Sequence, residues 1–208
     1  MTKYKTVLTA IGLALALAAC GEQRAAPPQD NPADAQQAAA VEIQTESERL
    51  NAFFEEVFDR DLARSPMSQT YLGIKDDYDK WDDISEVRRD EDIELVRHDL
   101  ERLRTEFDPA KLDEEANLSY RIFELTAERT LAADRWRHHD YPVNQMFGWQ
   151  SEIPAFLINM HQVADKSDAE AYIARLNGVK AVMVQVIAGL RLRADQGVVA
   201  PAFTFPQA

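Results

Sequence analysis

No disulfide can form within this chain, whose only cysteine is Cys20. Basic charge is scarce too: 23 lysines and arginines stand against 36 acidic residues, a formal net charge of −13. No basic cluster interrupts that excess, so phosphate backbones are repelled and nucleic acid is excluded as a partner. The acidic surplus favours solubility and says nothing about the fold. Glycine is sparse, and it forms neither a phosphate-cradling loop nor a Gly-x-Ser-x-Gly nucleophile elbow. The four histidines are His98, His138, His139 and His161. None belongs to a His-Glu-x-x-His helix, in which positions i and i+4 aim two imidazoles at one zinc ion. His138 and His139 are adjacent and on a helix point about 100° apart. Glu94 with His98, and Asp134 with His138, have i,i+4 spacing, a common pairing on solvated helix faces. The residue types by themselves designate no catalytic group and no metal ligand.

What is present starts at the amino terminus. Lys3 and Lys5 precede an apolar run, Val7–Ala19, relieved only by Thr9 and Gly12. The run is too short to span about 30 Å of hydrocarbon, which takes about 20 residues. A basic start, a short apolar core and small residues at its end describe a secretory signal. The ending Leu17-Ala18-Ala19-Cys20 resembles the lipobox of bacterial lipoprotein signals. That resemblance implies removal of residues 1–19 and attachment of diacylglycerol to the Cys20 thiol, with acylation of the new amino terminus. The alternative is an ordinary secretory signal with an incidental cysteine. Residues 20–40 are rich in Ala, Gln, Pro and Asp, lack large apolar side chains, and are expected to form a flexible tether. Gly21, standing where an inner-membrane retention signal carries Asp, resembles outer-membrane sorting. The expected address is the bacterial cell envelope, on the periplasmic face of the outer membrane, with the lipidated Cys20 making the membrane a partner.

Residues 41–208 are long enough for one domain, and their periodicity is helical almost throughout. Leu50, Phe53, Phe54, Val57, Phe58 and Leu62 form a stripe between about Val41 and Arg64. Ser65-Pro66 stops that helix and opens a short one running to Leu72 before Gly73. Ile93, Val96, Leu100, Leu103 and Phe107 mark a third, closed by Asp108-Pro109. A fourth lies between about Asp113 and Trp136. Ser151–Gln162 reads as a short helix with Pro154 in its first turn. Ser167-x-x-Glu170 reads as a capping box opening a long helix that Gly197 and Pro201 terminate. That helix is apolar round most of its circumference, so an exposed apolar surface centred on Val182 and Val186 is expected where no later helix covers it. No stretch has a convincing two-residue period. The fold class is all-α, an irregular multi-helix domain.

Two segments stand apart. Asp76–Asp83 places five aspartates around Tyr78 and Trp81 without the order of an EF-hand, and reads as a solvated loop with both aromatics folded back; calcium binding is the alternative. Arg137–Phe156 concentrates histidine, methionine and aromatics between helices. Its side chains His138, His139, Tyr141, Phe147 and Trp149 either line a binding cleft or plug a gap between diverging helices.

An ordered set of short segments resembles the amino-terminal part of the DUF885 family of bacterial proteins, often made as lipoproteins. The set comprises Leu50–Phe54, Ser65–Gly73, Leu118–Phe123, Pro142–Gly148, Ala171–Leu176 and Arg191–Pro201. The resemblance implies the first portion of a larger helical, metallopeptidase-like fold. Members resemble zinc peptidases, with a His-Glu-x-x-x-Gly-His-type motif far beyond the point where this chain stops. No such ligand carries over to a residue here. Zinc and a peptide substrate are therefore expected of the full-length family, whereas this chain reads as a truncated product or fragment, with no catalytic residue and no cofactor of its own. The alternative is an independent, non-enzymatic helical lipoprotein that binds peptides or an envelope partner.

The mature protein is expected to start at a lipidated Cys20. Mass spectrometry of its amino-terminal peptide checks this; an unmodified thiol, or cleavage elsewhere, contradicts it.

Overall fold

Thr45 opens the first helix by a reciprocal exchange: its hydroxyl accepts from Glu48 N at 3.2 Å, and its own N–H donates to Glu48 Oε2 at 2.7 Å. The helix α1 therefore spans Glu46–Ala63 and starts later than Val41, where periodicity alone placed it. The computed structural model describes residues 44–207; the signal segment 1–19, Cys20 and the tether 20–40 lie outside the described residues. Ser65 caps the short α2, Pro66–Tyr71, and Gly73 follows with φ 78°. The third helix, α3, runs Glu86–Glu106 from a Ser85 cap, two turns ahead of Ile93, where its apolar stripe begins. After a 3-10 turn at Pro109–Lys111, Asp113 caps α4, Glu114–Ala133, which ends in a second such turn at Asp134–Trp136. The described residues contain no strand, only an isolated bridge between Val143 and Gly148. The architecture is all-α.

Two clusters of buried side chains hold these helices. In the first, Leu50, Phe53 and Val57 of α1 meet Leu103 and Phe107 at the end of α3 and Ala116 and Tyr120 of α4. Phe53 lies 5.5 Å from Phe107 and 5.6 Å from Phe123, centroid to centroid, within the range where aromatic pairs attract. Burying each large apolar side chain here stabilises by about 1.5–3 kcal/mol. At the edge of this cluster Arg60 grips the buried Asp99 with two parallel bonds, 2.8 and 2.7 Å, one to each oxygen.

The second cluster joins α5, Trp149–Asn159, to α6, Lys166–Asp195. Because α5 starts at Trp149 rather than Ser151, Pro154 falls in its second turn. The cap of α6 is Asp165, whose carboxylate accepts from Asp168 N at 3.0 Å; Ser167, expected as the cap, instead donates its hydroxyl to Asp165. Val182 and Val186 are buried under Ile153 and Leu157, with Trp81, Ile84 and Trp149 packed alongside. The expected exposure centred on those two valines is thus wrong. The uncovered side of α6 carries Ile173, Leu176, Val184 and Ile187. By length and composition α6 matches a membrane span, yet its middle is packed on protein. Gly178 lets the Trp81 indole lie on the helix, since a Cβ there would come within 2.9 Å of Trp81 Cδ1. Gly197, at φ 78°, closes α6 with Val198 N donating to Arg193 O and Gly197 N to Ala194 O.

Arg175, near the first third of α6, is fully buried, and among the described residues its hydrogen bonds go to no carboxylate. Its Nε donates to Lys80 O at 2.9 Å, Nη2 to Thr70 Oγ1 at 2.7 Å and Nη1 to His161 Nδ1 at 2.9 Å. The guanidinium also lies 4.8 Å from the Phe156 centroid and 5.1 Å from that of Tyr78. His161 Nε2 faces Asp168 O at 3.0 Å, so that nitrogen carries the proton and Nδ1 is left to accept from Arg175. The Asp76–Asp83 loop folds back onto this centre. Tyr78 is buried and its hydroxyl pairs with Gln162, accepting from N and donating to O, while Trp81 Nε1 donates to Arg175 O at 2.8 Å. Three of the loop aspartates go to separate partners: Asp77 to Lys80, Asp82 to Ser65 and Met67, Asp83 to Ser85.

Burial pushes the His161 imidazole below its ordinary pKa. An unfolded histidine titrates near about 6.5, so below that pH the unfolded chain takes up the proton first. The stabilisation from neutral His161 is complete above about 6.5 and is lost as pH falls towards the folded value. Asp168, held low first by the Lys75 ammonium, loses its contribution only below the ordinary carboxylate range of about 4. The denaturant midpoint of the full chain is expected to fall between about pH 7.5 and 5.5, and to fall less in His161→Gln. A midpoint constant over that interval contradicts the assignment.

Candidate functional site

Between the start of α3, the segment 137–149 and the last turns of α6 lies a hollow of about 500 Å³. Its walls are apolar, from Ile84, Pro142, Trp149, Val184 and Val186, and its charged groups are Glu86, Arg89, Asp140 and Arg193. Each wall is fixed by a local interaction. Gln185 on α6 accepts from Ile84 N at 2.9 Å, setting the 84–86 edge against the helix. Opposite, Asn144 Oδ1 accepts from Met146 N and Phe147 N, and Trp149 N donates to Pro142 O at 3.2 Å, closing a tight turn. Gly148 sits in that turn at φ 135°, where a Cβ would lie 2.5 Å from Pro142 O; only glycine fits, and Trp149 is thereby presented to the hollow.

Arg193 forms the inner end. Only 7% of its side chain is exposed. Nη1 donates to Gly189 O at 3.0 Å, Nη2 to Arg137 O at 3.2 Å, and both Nε and Nη2 reach Asp140 Oδ1 at 2.8 and 2.6 Å. Behind the wall, His138 Nε2 donates to Glu86 at 3.0 Å, since the Gln196 amide occupies Nδ1 at 3.1 Å as donor. Arg137 engages Glu86, Asp90 and Asp134, with Asp90 contributing most to keeping its guanidinium charged.

Of the side chains singled out in the sequence, Trp149 lines this hollow and His138 braces Glu86 from behind. His139 packs its edge against Trp136 at 4.9 Å, on the surface. Tyr141 and Phe147 are exposed and outside the lining. Segment 137–149 does two things: Val143 and Trp149 fill the second cluster, while Asp140, Pro142 and Trp149 line the hollow. Glu86, Arg89, Asp140 and Arg193 were not singled out. Glu86, Arg89 and Arg193 lie on helix ends and Asp140 on the irregular stretch before α5, a spacing with no chemical signature, and they meet only through the tertiary fold.

The described residues do not fit a zinc ion. Both His161 nitrogens are engaged, His138 meets a single carboxylate, and His98 is 3.8 Å from an Asp99 already gripped by Arg60. Among the described residues no three His, Cys, Asp or Glu side chains converge. A further hollow of about 320 Å³ between α1 and α3 is lined by charges paired with each other, as in Arg64–Asp92 at 2.8 Å and Arg88–Asp92 at 3.1 Å.

No curated protein and no solved structure matches the chain. A family profile described as "Bacterial protein of unknown function (DUF885)" matches residues 66–208. The match takes in both edges of the hollow and the whole Arg175 centre, and begins at the first residue of α2. The chain belongs to the DUF885 family.

Proposed function

We propose that this protein is a lipid-anchored envelope protein of peptidase ancestry whose helical domain receives peptide in the 500 Å³ hollow without itself performing chemistry. Cys20 supplies the membrane anchor, and residues 20–40 the reach. The observation that carries the reading is the composition of the hollow: apolar walls around Trp149 with a few charged groups set among them. Small-molecule and peptide sites have this balance, in which apolar area supplies affinity and sparse polar groups set orientation. The zinc implied by the peptidase resemblance has no ligand set among the described residues.

Short dye-labelled apolar peptides, followed by fluorescence anisotropy with the full chain in detergent, test it. Saturable binding is expected, weakened about tenfold by Trp149→Ala, as for an aromatic anchor, with the peptide recovered intact by chromatography. Absence of saturable binding, or binding indifferent to Trp149→Ala, contradicts the reading. Cleavage of the peptide by the chain, with or without added metal, overturns its non-catalytic part.

A further inference from the structure

We infer that the inner end of the hollow is a carboxylate site, and that the peptide received there is held by its free carboxyl terminus with an apolar last side chain. The inference rests on the peptide-binding reading above and adds the chemistry of the ligand.

The domain contains its own standard for comparison. Arg60 grips Asp99 with two nitrogens on two oxygens, and that carboxylate is 3% exposed. Arg193 is more deeply buried than Arg60, with 7% against 28% of its side chain exposed, yet its Nε and Nη2 converge on a single oxygen, Asp140 Oδ1. The guanidinium edge is shaped for a carboxylate with two oxygens and receives one. Asp140 itself is 60% exposed, on the irregular stretch between the turn at Asp134–Trp136 and the Pro142–Trp149 turn. It is a surface counter-ion resting on a buried cation. Such a partner can be exchanged for a ligand carboxylate without stranding Arg193, whose remaining donors keep the carbonyls of Gly189 and Arg137.

Arg89 adds a second cation at the same hollow. The carboxylates nearest to it in the chain are committed elsewhere: Glu86 to His138 and Arg137, Asp90 to Arg137, Glu91 to Arg64, and Asp92 to Arg64 and Arg88. With Asp140 displaced, the lining carries Arg89 and Arg193 against Glu86 alone, which leaves it with one positive charge in excess. A cationic pocket in a chain of net charge −13 selects an anion. The apolar walls lie next to it: Val186, Trp149 and Pro142 share the lining with Arg193. An apolar side chain on the same residue as a carboxylate fits that juxtaposition, and this pairing defines a peptide carboxyl terminus.

The test compares two labelled tripeptides of identical sequence, alanine-alanine-leucine, one ending in the free acid and the other in the amide, on the full chain in detergent. The free acid is expected to bind about tenfold more tightly, the scale of a charge-assisted fork. Arg89→Gln should weaken the acid by more than it changes the amide, so that the preference for the acid narrows; an unchanged preference overturns the role of Arg89. Asp140→Asn should tighten the acid several-fold by removing the internal competitor, provided its melting transition is intact; if that variant fails to fold, Arg89→Gln decides. Equal affinities for acid and amide overturn the carboxylate site and leave the peptide reading standing. No binding of either, or of the longer peptides, overturns both. Weaker acid binding in a folded Asp140→Asn also overturns the exchange.

Discussion

A guanidinium buried without a carboxylate is the constraint on which the second half of this domain depends. Arg175 gives up its hydration and receives only neutral acceptors and aromatic faces in return. Such burial is costly unless every donor is used, so the acceptors must be in place together. They come from α2 through Thr70, from the loop before α3 through Lys80, and from the end of α5 through His161. One side chain thereby ties α6 to three segments distant in sequence. The loop it holds continues into Ile84 and Glu86, which form one edge of the hollow.

The two ends of α3 connect this centre to the rest. Its last turns, at Leu103 and Phe107, belong to the aromatic cluster with α1 and α4, whereas its first turn carries Glu86 and Arg89 beside α6. The hollow is therefore framed by elements rigid for different reasons, an aromatic core at one remove and a polar knot at the other. Its third wall is held by a turn that only glycine permits at Gly148. Leu118, Ile122 and Leu125 on α4, and Ile173, Leu176 and Ile187 on α6, remain exposed.

Local chemistry was legible in the sequence, and tertiary choice was not. Ser65-Pro66, Asp113 and Gly197 punctuate the chain where they appear to, because capping and turn residues act on their immediate neighbours. The exposed face of α6 was misplaced for the converse reason. A helix apolar on most sides has no periodicity to say which side a neighbour will cover, and α5 with Trp81 covers Val182 and Val186. Arg175, between Tyr172 and Val179, reads as an ordinary charged helix position, and His161 as a boundary residue. Their pairing spans segments joined only by the fold. Asp165 displaced Ser167 as the cap of α6 because either residue type can serve, and Asp168 N lies within reach of the earlier one. The same limit hid Arg193 and Asp140, 53 residues apart.

Hydrogen exchange on the full chain, with and without a saturating apolar peptide ending in a free carboxylate, tests the central claim most directly. Added protection is expected in residues 84–89, 140–149 and 184–193, with the amides around Arg175 slow in both states. Protection confined to the α4 face around Leu118–Leu125, or fast exchange around Arg175 in the free protein, would contradict it.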